Sequence, residues 1–200
     1  TDLADAGNRL CRKYGWPTHE RQAYRYFVGN GIPKLVERLA PADQRTPAVL
    51  EAALADFKRD YGQHLRDTTA PYPGIPEMLA KLKANGVQLA VFSNKADALA
   101  KEVVKDYFGT QYFTIVRGQM TGVAPKPAAE GTNALLQALH ADPASTLYVG
   151  DSNVDVETAH NANLPCCGAV WGFRTREELN AAGAEYLAEN SDELYDVIMK

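Results

Sequence analysis

Apolar residues along this chain keep a helical rhythm at first and change to a strand-and-helix alternation later. Leu3, Ala6, Leu10 and Tyr14 recur at helical spacing until Gly15 and Pro17 end the run. Ile32, Leu35, Val36 and Leu39 repeat the stripe and stop before Pro41. Val49, Ala53, Phe57 and Tyr61 form a third stripe, with acidic and basic residues on the opposite face. No alternating strand pattern interrupts this stretch. Residues 1–70 are therefore expected to form a small, all-helical domain.

The run Thr68-Thr69-Ala70-Pro71-Tyr72-Pro73-Gly74 is a break in composition that neither helix nor strand tolerates. Beyond it the rhythm changes. A helix over 75–85, with Met78, Leu79 and Leu82 inward, ends at Gly86. Strands are expected at 87–92, 112–116, 146–149 and 166–170, and helices at 96–106, 130–140 and 154–161. Strands that alternate with helices predict an α/β domain over 71–200, built on a parallel sheet flanked by helices. The strand runs are nearly all apolar, as for strands covered on both faces.

Composition narrows the classes without naming a function. The 200 residues are 46% hydrophobic and 23% charged, ordinary for a globular protein. A formal charge of −4, a pI near 5.6 and no basic stripe argue against a nucleic-acid partner. Cys11, Cys166 and Cys167 lack metal-ligand spacing, and adjacent strand residues point to opposite faces, so they read as reduced core thiols. No apolar run approaches the ~20 residues that span a bilayer. The amino-terminal Thr-Asp-Leu-Ala-Asp-Ala-Gly is not a signal peptide. The reading is a cytoplasmic protein with neither membrane nor nucleic-acid partner.

Three polar sites follow three of the expected strands. Ser93-Asn94 comes after 87–92, Lys126 after 112–116, and Gly150-Asp151…Asp155 after 146–149. Carboxyl ends of parallel strands line one crevice, so the three sites are expected to converge. Two nearby carboxylates repel, and a hard divalent cation relieves that repulsion. The alternative for Asp151 is a helix N-cap. Ser93-Asn94 either binds an anion at the next helix N-terminus or caps that helix. Lys126 lies between Pro125 and Pro127, which stiffen the loop and fix where its ammonium points; otherwise it is simply a solvated loop lysine.

In order and spacing, Ser93, Lys126 with Pro127, and Gly150-Asp151…Asp155 resemble motifs two, three and four of the haloacid dehalogenase-like hydrolase superfamily. Three further stretches are similar to its phosphoglycolate phosphatase subgroup: Tyr72-Pro73-Gly74…Leu79…Leu82…Gly86, Trp171-Gly172-Phe173-Arg174, and Gly29-Asn30-Gly31…Leu35-Val36. The resemblance implies a Rossmann-like core with a helical cap, and Mg2+-dependent hydrolysis of a small phosphorylated metabolite through an aspartyl-phosphate. It also implies roles. Ser93 would bond the phosphoryl oxygens, Lys126 would neutralise charge on the aspartyl-phosphate, and Asp151 would ligate the metal. Asp155 would be a further ligand or the partner that holds Lys126. Asn94 and Lys95 would line the pocket, and Gly29, Gly31 and Lys34 would reach substrate from the cap. For Lys34 the competing reading is a solvated helix face.

The sequence departs from the family in one place that matters. The first motif, a strand ending in Asp-x-Asp-Gly-Thr with the nucleophile at its first Asp, has no counterpart here. Asp2 and Asp5 lie on a helix with no strand before them and are not assigned that role. Ala129 stands where relatives often carry proline. Five buried apolar side chains of such a strand contribute roughly 8–15 kcal/mol, comparable to a whole domain's stability. The expectation is therefore a chain truncated at its amino terminus, inactive as it stands. Gly150-Asp151 argues against a dehalogenase, in which Ser-Ser is usual. A phosphosugar mutase and an inactive phosphate-binding module remain as alternatives.

Overall fold

The computed structural model describes residues 2–200. The chain divides into two compact units, Thr1–Ala70 and Pro71–Lys200.

The first unit contains helices α1 (Asp2–Tyr14), α2 (Tyr24–Phe27), α3 (Ile32–Leu39) and α4 (Pro47–Gln63), with short 3-10 turns between them. Among its described residues there is no strand. Thr46 caps α4 by accepting from the Val49 N–H, and Pro47 follows where an N–H would have no partner. The expected stripes face inward: Leu10, Leu35, Val36, Leu39, Ala53 and Phe57 are all buried. Polar ties lock α1 to α4, as Arg9 donates to Asp60 at 2.8 and 2.9 Å and the Tyr14 hydroxyl donates to Asp56 at 2.8 Å. Asp2 accepts from the N–H groups of Thr68 and Thr69 at 2.8 and 3.0 Å, and from the Thr68 hydroxyl. Asp5 pairs with Arg21. Both acidic side chains of the first turn are thus engaged within the helical unit.

In the second unit, α5 (Ile75–Ala84) leads into β1 (Leu89–Ala96), α6 (Asp97–Phe108), β2 (Phe113–Gln119), α7 (Glu130–Leu139) and β3 (Tyr148–Gly150). Then come α8 (Asn153–Asn161), β4 (Cys166–Ala169), α9 (Arg176–Ala181), β5 (Tyr186–Ala188) and α10 (Ser191–Ile198). All strand pairs are parallel. This is the α/β, Rossmann-like arrangement expected from the alternation of strands and helices.

Four details differ from the sequence reading. The expected single sheet is two, ordered β1–β2 and β3–β4–β5. Both rest on one apolar layer, in which Met78, Leu79 and Leu82 of α5 and Leu194 of α10 pack with Leu89 and Phe113 of one sheet and Cys167 and Ala188 of the other. The ladder is broken between β1 and β3, each of which has one hydrogen-bonded neighbour. That break explains the second difference. No residue of β1 is fully buried and Val149 of β3 is 39% exposed, whereas every residue of β4 is buried. Third, β1 runs four residues past 92, so Ser93, Asn94 and Lys95 belong to the strand and do not follow it. Fourth, α9, β5 and α10 extend the fold beyond the last expected strand. The adjacent thiols do point to opposite faces: Cys166 packs with Val156 and Ala159, Cys167 with the α5 layer.

Candidate active site

The capping alternatives for the polar sites do not hold. Ala96 is the N-cap of α6 and makes no side-chain cap bond. The Ser93 hydroxyl instead accepts from the Lys95 N–H at 3.1 Å. At α8 the N-cap is Ser152, whose hydroxyl donates to Asp155 at 2.6 Å and caps no backbone group.

Lys126 is the centre of the arrangement. Its ammonium donates to Asp155 Oδ1 at 2.6 Å, has the Tyr148 phenol as a neighbour, and lies 5.8 Å from the centre of the Phe92 ring. Its peptide group is bonded by Asn94, whose Oδ1 accepts from Lys126 N at 2.8 Å and whose Nδ2 donates to Lys126 O at 3.3 Å. Burial alone pulls the lysine pKa down, but the negative charge of Asp155 outweighs it and leaves the pKa raised. The lysine is therefore a fixed cation at neutral pH. The neighbouring Lys95 shifts the other way, pulled down by burial.

The two carboxylates have different surroundings. Asp155 Oδ1 faces Lys126, while its Oδ2 accepts from Ser152 Oγ and from the Asp151 N–H at 3.2 Å. Both oxygens are therefore committed to protein donors, which favours the role of holding Lys126 over that of a metal ligand. Asp151 is half-buried beside this charge, and its desolvation together with Asp155 pushes its pKa up to about 6. The loop after β4 closes over it. Phe173 N donates to Asp151 Oδ2 at 3.3 Å and Arg174 N to Asp151 O at 3.0 Å. A Cβ on Gly172 would collide with the Asp151 side chain, and one on Gly150 with that of Asp155, so both glycines are required by close approach.

A divalent cation suits this donor set. Asp151 offers hard oxygens whose ionised form is disfavoured, and a nearby cation would restore it. Among the described residues no three His, Cys, Asp or Glu side chains gather in a metal-holding group.

The structure brings together Ser93, Asn94 and Lys95 on β1, and joins Lys126 with Asp151 and Asp155 through the bonds above. Gly29, Gly31 and Lys34 lie in the helical unit. Gly29 and Gly31 have φ of 106° and 83°, and Gly31 is the N-cap of α3. Lys34 is exposed and bonds Glu37 at 2.8 and 2.9 Å, as a solvated helix face would. Sequence reasoning missed Tyr148, Ser152 and Phe92. Tyr148 and Phe92 read as ordinary apolar strand positions, and only Ser152, between Asp151 and Asn153, carried a local signal.

The family model of the haloacid dehalogenase-like hydrolases matches residues 2–169. This chain belongs to that family. The hydrolase is 30% identical over 194 residues to the plasmid phosphoglycolate phosphatase of Cupriavidus necator, covering 96% of this chain and 84% of that protein. It is 31% identical over 175 residues to the phosphoglycolate phosphatase of Neisseria meningitidis, covering 86% and 74% respectively. Among solved structures, a protein from Lactobacillus delbrueckii subsp. bulgaricus described as a candidate phosphoglycolate phosphatase superposes with a TM-score of 0.92 at 26% identity. That match covers 98% of this chain and 91% of the other.

Proposed function

We propose that this hydrolase is a Mg2+-dependent phosphomonoesterase acting on a small phosphorylated metabolite of the phosphoglycolate kind, with residues 1–70 as its cap and residues 71–200 as its core. The observation that carries the reading is the largely buried Lys126 cation, held by Asp155 beside the Asp151 carboxylate. Phosphoryl transfer is catalysed chiefly by positioning and by cations on the transferring oxygens. Lys126 supplies the fixed positive charge, and the Ser93 hydroxyl donates to a phosphoryl oxygen. Asp151 would hold Mg2+, which when bound offsets the charge of the phosphoryl group. Asn94 and Lys95 shape the same end of β1, and Gly29, Gly31 and Lys34 are the contacts proposed from the cap.

The nucleophile in this reading is an aspartate at the end of a strand seated between β1 and β3, as in the family's first motif. Support comes from the ladder break between those strands and from their half-exposed side chains. No helix of the described residues is long and apolar enough to cross a membrane.

The test is phosphate release from a panel of phosphate esters that includes 2-phosphoglycolate. It uses the full-length protein, with and without Mg2+. Lys126→Ala and Asp151→Ala are expected to lower turnover by about 10²–10³-fold or more. Wild-type turnover in either variant, or activity indifferent to chelation, would refute the assignment.

A further inference from the structure

Lys126 is fastened at both ends, by residues distant from it in sequence. At the backbone end, Asn94 of β1 presents its carbonyl oxygen to Lys126 N at 2.8 Å and its amide nitrogen to Lys126 O at 3.3 Å. Only an amide side chain offers an acceptor and a donor side by side in this way. At the ammonium end, the Asp155 carboxylate of α8 bonds Nζ, and Phe92 of β1 lies beneath it.

We infer that Asn94 is a positioning residue for Lys126: it sets where the loop carries the lysine backbone. This replaces the role of substrate contact. It rests on the proposed catalytic use of Lys126 for its kinetic consequences, but not for its structural ones. Asp155 alone would let the loop shift while the ion pair held. A two-point tie at the backbone restricts the loop to one place, which is the preorganisation that electrostatic catalysis needs.

Two sets of measurements on the full-length protein test this. The kinetic set uses Asn94→Ala and Asn94→Asp. Asn94→Ala is expected to lower kcat about 10–100-fold with KM within about twofold, since a misplaced cation costs the transition state more than the bound substrate. Asn94→Asp, which keeps the acceptor and loses the donor, should fall between Ala and the native residue. A rise in KM with kcat intact for Asn94→Ala would overturn its positioning role and restore substrate contact.

The structural set needs no activity. Amide exchange at Lys126 should quicken about tenfold in Asn94→Ala. An unchanged exchange rate would overturn the inference. A protein inert toward every ester that still shows this loss of protection would refute the proposed function and leave the inference standing.

Discussion

Replacing Asp155 by asparagine isolates the electrostatic centre of this fold from its shape. The side chains of Asp155 and Lys126 are 9% and 12% exposed, and three donors converge on the carboxylate: Lys126 Nζ, Ser152 Oγ and Asp151 N. An amide of the same size has one oxygen, so in either orientation its NH2 group faces a donor. Lys126 also keeps its charge without a counter-ion. Removing one partner of a buried pair costs about 3–5 kcal/mol, because the remaining charge is left uncompensated. For a chain of this length each kcal/mol shifts the midpoint by about 2–4 °C, so Asp155→Asn should lower Tm by about 6–20 °C. Thermal unfolding followed by circular dichroism at pH 7 reads this directly. The double variant Lys126→Met, Asp155→Leu, which removes both charges, should recover most of the loss. A single variant that melts within about 2 °C of the native protein, or a double variant whose loss equals the sum of the singles, would refute the reasoning.

Two further outcomes follow from other contacts. Gly172→Ala places a methyl against the Asp151 side chain, while the loop is held by Arg174 N on Asp151 O. Mg2+ affinity, measured by titration calorimetry on the full-length protein, should weaken about 10–100-fold, and the overpacking should lower Tm by about 2–12 °C; unchanged affinity would contradict the role of Asp151. In the helical unit, burial raises the Asp2 pKa, but the bonds from Thr68 and Thr69 outweigh it and hold the carboxyl below its usual value. Its contribution is therefore complete above the unfolded pKa near 3.9 and is lost as pH falls through the lower folded value. Asp2→Ala should cost about 1.5–3 kcal/mol at pH 7, and the gap from the native protein should close below about pH 4. A gap that persists unchanged at pH 2.5 would contradict this.

The strand–helix alternation was legible because parallel strands with covered faces leave apolar runs, as 166–170 does for Cys166–Ala169. What it hid has physical reasons. β5 is three residues long, with Tyr186 exposed, too short for any periodicity to declare it. The start of α9 did carry a local sign, the Thr175 and Glu178 capping box. The end of β1 was misplaced because Ser93, Asn94 and Lys95 are polar, and polar residues read as the close of a strand when a site occupies its tip. Most of the residues that hold Lys126 were illegible for another reason. Asn94 meets its backbone across 32 positions, and that distance leaves no trace in local pattern. The division of labour between Asp151 and Asp155 was equally hidden, because it depends on which donors surround each carboxylate.

Those same separations bear on how the protein assembles. Asn94 closes on Lys126 over 32 residues, Lys126 on Asp155 over 29, and Phe173 on Asp151 over 22. None of these bonds forms within a single helix or hairpin, and each requires a loop to close before it is rewarded. The polar cluster is therefore a late product of folding: helices such as α4 and α5 can appear while Lys126 is still unanchored. In a refolding experiment, recovery of the Lys126 cage should coincide with the slowest step of the 71–200 unit, well after most of the helical circular dichroism has returned.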